Sequence, residues 1–189
     1  MTTIIDGPAS PLFTPLPFSG SEQFEDLASL KGLSREIVET AQHAPHGHSV
    51  SWGIPFEIGA PAVLVERPIE ISLPPTQAPW LVFLHTSDLR PLEANPSGFY
   101  SSSPGRGRLN EHAATYTICY KDGSEAQAEI RRRHQVGMFQ RGWGENCFQA
   151  VEQHKPFPVR QPHEQLRSGW GWTQTRVAGW EYGPWINWL

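Results

Sequence analysis

The chemistry open to this chain is concentrated in its tryptophans and in what stands beside them. Eight Trp occur in 189 residues, five of them between Trp170 and Trp188. The run Arg141-Gly142-Trp143-Gly144-Glu145-Asn146 sets a guanidinium, a carboxylate and an amide around one indole. Trp170, Trp172 and Gln174 repeat that mixture at the period of a strand, and Trp180 lies between Gly179 and Glu181. A sugar ring offers a flat C–H face that packs on an indole, and hydroxyls that planar polar groups can hydrogen-bond. These residue types predict a glycan-binding face built from Arg141, Trp143, Glu145, Asn146, Trp170, Trp172, Gln174 and Trp180. The other four, Trp52, Trp80, Trp185 and Trp188, stand in apolar runs and are expected to fill the core.

Other chemistry is less complete. His43, His46 and His48 could place imidazoles on one face toward a metal, the basis of an alternative reading as a small metal-dependent enzyme. No acidic residue completes that set at a metal-site spacing, Glu57 being the next one along, so no metal is assigned. His85, closing the run WLVFLH, is expected to be a half-buried histidine bonded to nearby backbone. There is no Gly-x-Ser-x-Gly turn for a serine nucleophile, and neither Cys119 nor Cys147 has an activating neighbour. Residues 103–110, SPGRGRLN, lack the strand, turn and lysine of a phosphate loop. Glu145 and Glu181 have no partner acid nearby for glycosidase chemistry. The balance favours a non-catalytic chain with no cofactor.

Charge excludes one partner class. Net charge is −4, yet residues 1–100 hold 4 Lys+Arg against 11 Asp+Glu while 101–189 hold 11 against 8. That small positive excess is too thin for a phosphate-backbone footprint. The longest apolar run, Trp80 to Leu84, is far short of the roughly 20 residues of a membrane-spanning helix. Two cysteines are too few for a disulfide scaffold; Cys119 reads as a small buried hydrophobe, and a bridge to Cys147 stays open. The N-terminus lacks the basic and apolar regions of a signal peptide, which predicts a cytoplasmic chain, or an extracellular one if this is an excised module.

The elements that must position these residues are short. Pro (18) and Gly (17) favour strands and turns over long helices. Residues 1–20 read as a proline-rich arm, and 21–48 as short helical turns, broken at Gly32 with Ser34 as an N-cap, followed by a loop. Residues 49–189 read as the β domain. Strands are expected at Ser51–Ile58, Ala62–Glu66, Ile69–Leu73 and Trp80–His85, the last central and covered on both faces. Residues 86–110 read as a long polar surface loop. Ala114–Tyr120 and Ser124–Ile130 flank Lys121-Asp122-Gly123, the strongest hairpin signal in the chain, and Arg131–Arg133 are expected to end it in solvent. A last strand is expected at Trp185–Leu189, its end tucked into a sheet.

In order along the chain, GIPFEIG, PWLVFLHTSD, ATYTICYKDGSEAQAEI and VGMFQRGWGEN resemble the galactose-binding-like β-sandwich modules attached to bacterial glycoside hydrolases. The resemblance covers roughly residues 50–150. It implies an all-β antiparallel sandwich of jelly-roll type and an accessory, carbohydrate-associated role, either binding glycan or serving as a domain of a larger hydrolase. The run HGHSVSW before GIPF and the basic RRRHQVGMFQRG after the hairpin depart from that pattern. The second reading is a structural or assembly module without ligand, which predicts an exposed apolar patch.

Overall fold

The structure, a computed structural model, describes residues 8–17, 20–41, 44–99, 105–139, 147–152 and 187–188. It begins with helical turns. A 3-10 helix spans Phe24–Ser29, and helix α1 spans Arg35–Thr40. Gly32 separates them at φ +94°, a backbone conformation open to glycine at little cost. The Ser34 hydroxyl accepts the Ile37 N–H at 3.2 Å, satisfying one of the donors a helix start leaves unpaired.

The strands form small antiparallel sheets. β1 (Gly47–Ser51) and β2 (Ile54–Ile58) are a hairpin joined by Trp52 and Gly53. Both joining residues have positive φ, 55° and 79°, as a two-residue turn matched to strand twist requires. The expected single strand from Ser51 to Ile58 is therefore a turn followed by a strand, and Trp52 is a half-buried turn residue rather than a core one. Residues of the proline-rich arm reach this turn, where Ser10 N–H donates to Gly53 O at 2.7 Å.

β3 (Leu84–His85) pairs with β7 (Asn187–Trp188), which also pairs with β6 (Val151–Glu152), so β7 lies between the other two. β4 (His112–Cys119) and β5 (Glu125–Arg131) form the longest hairpin. Its three-residue loop closes with Gly123 at φ +85°. Tyr120 N–H donates to Ser124 O at 2.8 Å, and Gly123 N–H to Tyr120 O at 3.0 Å. Asp122 Oδ1 accepts from both Ser124 Oγ and Ser124 N, which holds its carboxyl below the usual range.

The core gathers around segments outside the strands. Leu89, Met138 and Phe139 form a buried cluster on which Ile37 packs. The backbone brings them together: Ser87 N–H donates to Gly137 O at 2.9 Å, and Phe139 N–H to Ser87 O at 3.0 Å. Ile130, Val136, Val50, Ile54 and Leu27 are buried as well.

Several expectations are overturned. Residues 62–66 and 69–73 carry no strand. Pro61, Pro68, Pro74, Pro75 and Pro79 interrupt this stretch, and each removes a ladder donor. Trp80 is 78% exposed and not core; of the Trp80–His85 run only Leu84–His85 is paired. The start of the supposed surface loop at 86–110 is structural, because Leu89 is core. Cys119 is exposed, since the pleat sets it with Thr115 and Thr117 while Tyr116 and Ile118 turn inward. Arg132 is buried rather than solvated. Trp185 lies outside the described residues, and Trp188 is described by its backbone alone. The chain is thus all-β in class, with small antiparallel sheets and, among the described residues, two short helical elements.

Candidate binding surface

All eight residues expected to form the glycan face, Arg141, Trp143, Glu145, Asn146, Trp170, Trp172, Gln174 and Trp180, lie outside the described residues. The described residues offer other aromatics to solvent. Trp80 is 78% exposed, Phe99 73% and Phe148 70%, and Tyr120 is exposed at the hairpin tip. Phe148 lies against the His134 ring at 4.9 Å between centroids, the two planes tilted by 31°.

Phe99 is held by local chemistry. Asn95 Oδ1 accepts the N–H groups of Ser97 (3.0 Å) and Phe99 (2.9 Å). Asn95 N–H donates to Phe99 O, and Gly98 N–H to Asn95 O, each at 2.8 Å. An Asn that takes its own turn's donors fixes the backbone, so the ring is presented on a preformed tip. The Asn-Pro-Ser-Gly sequence carries that turn signal, and the exposed ring beside it went unread. Elsewhere on the surface, residues 62–73 expose Leu64, Val65, Ile69, Ile71 and Leu73.

The histidine candidates separate. His43 lies outside the described residues. His46 meets the Phe24 ring edge-on at 6.1 Å. His48 Nδ1 lies 2.7 Å from Glu57 Oε1, because the β1–β2 register sets these residues opposite each other. Sequence spacing had put Glu57 out of reach; the Trp52–Gly53 turn removes that distance. Among the described residues no group of three His, Cys, Asp or Glu side chains could hold a metal ion.

His85 is half-buried and bonded to backbone. Its Nε2 lies 2.9 Å from Gln135 O and its Nδ1 2.9 Å from Tyr116 Oη. A carbonyl only accepts, so Nε2 carries the proton and Nδ1 accepts from the tyrosine. Phe83 and Tyr116 pack around the ring. Burial pushes His85 down to about 4 against the backbone bond's opposing pull, and raises the Tyr116 hydroxyl. With both ring nitrogens engaged, His85 is a structural tie between β3, β4 and residue 135.

A second polar cluster closes the loop behind Phe99. Arg132 NH1 donates to Asp88 O at 2.5 Å, and its Nε stands 3.6 Å from Glu111 Oε1. Glu111 also pairs with Arg90 Nε at 3.3 Å. Arg90 N–H donates to Arg106 O at 3.1 Å, which closes the neck of the loop. The Asp88 carboxylate turns instead to Ser34, accepting from its N–H and its hydroxyl, and so fixes the start of α1.

Among the described residues no helix is long and apolar enough to cross a membrane. No protein-family model, curated protein or solved structure matches the chain, so its likeness to galactose-binding-like modules rests on the sequence motifs alone.

Proposed function

We propose that this chain is a non-catalytic, carbohydrate-associated module, its small sheets belonging to a jelly-roll sandwich, and that it meets glycan through exposed aromatic rings. The observation that supports it is Trp80, whose indole stands 78% exposed. A large apolar ring kept in water forgoes about 2 kcal/mol or more of burial, and stacking under a sugar recovers part of it. Trp143, Trp170, Trp172 and Trp180, with Arg141, Glu145, Asn146 and Gln174 as the polar fringe, extend the reading. The test is affinity electrophoresis through gels cast with polysaccharides. Trp80→Ala and Trp172→Ala should each weaken retardation in the polysaccharide that retards the parent, with melting temperatures unchanged. Retardation that survives both substitutions, or an absence of retardation across the panel, overturns it.

A second reading, a structural or assembly module, is favoured by the exposed row of Leu64, Val65, Ile69, Ile71 and Leu73. It predicts concentration-dependent self-association in sedimentation velocity that Ile71→Asp abolishes. A monomer at all concentrations counts against it.

A further inference from the structure

The hairpin of β4 and β5 is a sheet of two strands, so β5 has an outer edge that no third described strand pairs. Glu125, Ala126, Gln127, Ala128 and Glu129 are all exposed, whichever face of the strand they occupy. Three bonds fix the direction of its backbone groups. Ser124 O accepts the Tyr120 N–H at 2.8 Å, and Arg132 N–H donates to Glu111 O at 2.8 Å, so the even-numbered residues turn toward β4. Arg131 N–H points the other way, to Gln135 Oε1 at 2.9 Å. Alternation along an antiparallel ladder therefore aims the N–H and C=O groups of Glu125, Gln127 and Glu129 away from β4, where no described residue bonds them. At the base the edge is closed, because the N–H groups of His134 and Gln135 both donate to Arg131 O at 3.1 Å.

An open edge is a template for another strand, and proteins commonly blunt one with Lys, Pro or a bulge. β5 carries none of these: it reads Glu-Ala-Gln-Ala-Glu-Ile-Arg, and the hairpin's one irregularity lies in β4, between His112 and Ala114. Its charges suit a second copy of itself. Outward residues must face outward residues, so an antiparallel self-pairing is centred on one residue of the strand. A centre at Gln127 opposes Glu125 to the partner's Glu129, twice. A centre at Glu129 sets that carboxylate against its own copy, and a centre at Ala126 runs into the loop at Gly123. A centre at Ala128 sets Glu125 opposite the partner's Arg131, twice, and Gln127 opposite the partner's Glu129. Opposite charges across a ladder support it and like charges oppose it, which selects the last register. The Arg131 side chain, 38% exposed, already meets Glu129 at 2.7 Å from one side.

We propose that the outer edge of β5 is a homodimer interface, two copies pairing antiparallel about Ala128 to make one four-stranded sheet. Gln127 and the partner's Glu129 exchange two backbone bonds, the symmetric pair exchanges two more, and Glu125 forms an ion pair with the partner's Arg131 at each end. Ala128 meets its own copy at the axis with a side chain small enough for close approach. So short a seam gives weak association, in the micromolar range or above. This surface is separate from the row of residues 64–73 and from any glycan.

Sedimentation velocity of the full chain from micromolar to millimolar concentration tests it, with circular dichroism of each variant to confirm the fold. The parent should pass from monomer to dimer. Gln127→Pro removes an outward N–H and leaves the β4 ladder untouched, so the dissociation constant should rise roughly tenfold or more. Glu125→Arg sets guanidinium against guanidinium and should weaken the dimer as well, whereas Glu125→Arg combined with Arg131→Glu exchanges the charges and should recover it. Ile71→Asp should dimerise like the parent. If Gln127→Pro does not fold, the charge exchange decides. In hydrogen exchange at dimer-forming concentration the Gln127 and Glu129 amides should gain protection, while those of Ala126 and Ala128 are protected in monomer and dimer alike. A monomer at every concentration, a dimer indifferent to Gln127→Pro or to Glu125→Arg, a double variant no better than Glu125→Arg alone, or a dimer lost in Ile71→Asp would each overturn the assignment.

Discussion

Residues 61–83 and the hairpin of β4 and β5 are both rich in β-branched and aromatic residues, yet only the hairpin forms strands. The stretch 61–83 contains five prolines and leaves Trp80, Leu64, Val65, Ile69, Ile71 and Leu73 exposed. The hairpin contains none between His112 and Arg131, and a loop with a left-handed glycine brings its two halves into register. The difference teaches that side-chain preference does not make a strand without backbone donors and a turn that aims them. A second contrast follows. The hairpin leads into the buried Arg132 and the core Phe139, so its base is anchored in the core, while 61–83 meets the rest of the fold near its ends among the described residues, through Pro61 O, Val63 N–H and Phe83.

The sharpest test of that contrast is the core itself. Phe139→Ala should cost about 3–5 kcal/mol, read as the shift in urea midpoint, because a fully buried ring leaves a cavity. A loss below about 1 kcal/mol would show that the hairpin base is not anchored there.

His85 links the hairpin to β3, and acid should loosen that link. Its folded value of about 4 lies below the ordinary 6.5, so the folded chain favours the neutral ring. The stabilisation is complete above pH 6.5 and is lost as pH falls toward 4. Half-burial discounts the full shift, leaving about 2 kcal/mol. Thermal melts of the parent and His85→Gln between pH 7 and 4 should converge as pH falls; parallel curves would refute the assignment.

A smaller effect tests the turn. Gly123→Ala puts a Cβ at φ +85° with open space around it, so only backbone strain is felt, about 1 kcal/mol. A loss much larger than this would mean that the turn directs pairing beyond its own residues. The smallest change belongs to the proline-rich stretch: Trp80→Ala should alter the unfolding free energy by less than about 0.5 kcal/mol. A cost of 2 kcal/mol or more would erase the contrast and place that indole in a packed environment.

How much was legible in the sequence differs by element. The Ser34 cap, the Gly32 break and the Asp122-Gly123 hairpin were readable because each depends on residues within four positions of one another. The strands expected at 62–66 and 69–73 were misread because alternation outweighed the prolines on either side. Arg132 was misread because a run of three arginines looks solvated until a distant carboxylate and carbonyl are placed on it. His48 and Glu57 were kept apart by counting residues, where the two-residue turn sets them face to face.

The sequence by itself determined the β-rich class, the turn at Asp122-Gly123 and the aromatic content, because these follow from local backbone preference and side-chain type. Only the tertiary structure decided which aromatics stay in water, which histidine loses its proton affinity and which arginines are buried. Those outcomes depend on desolvation and on partners tens of residues away, such as Gln135 for His85 and Asp88 for Arg132, and no local pattern encodes them.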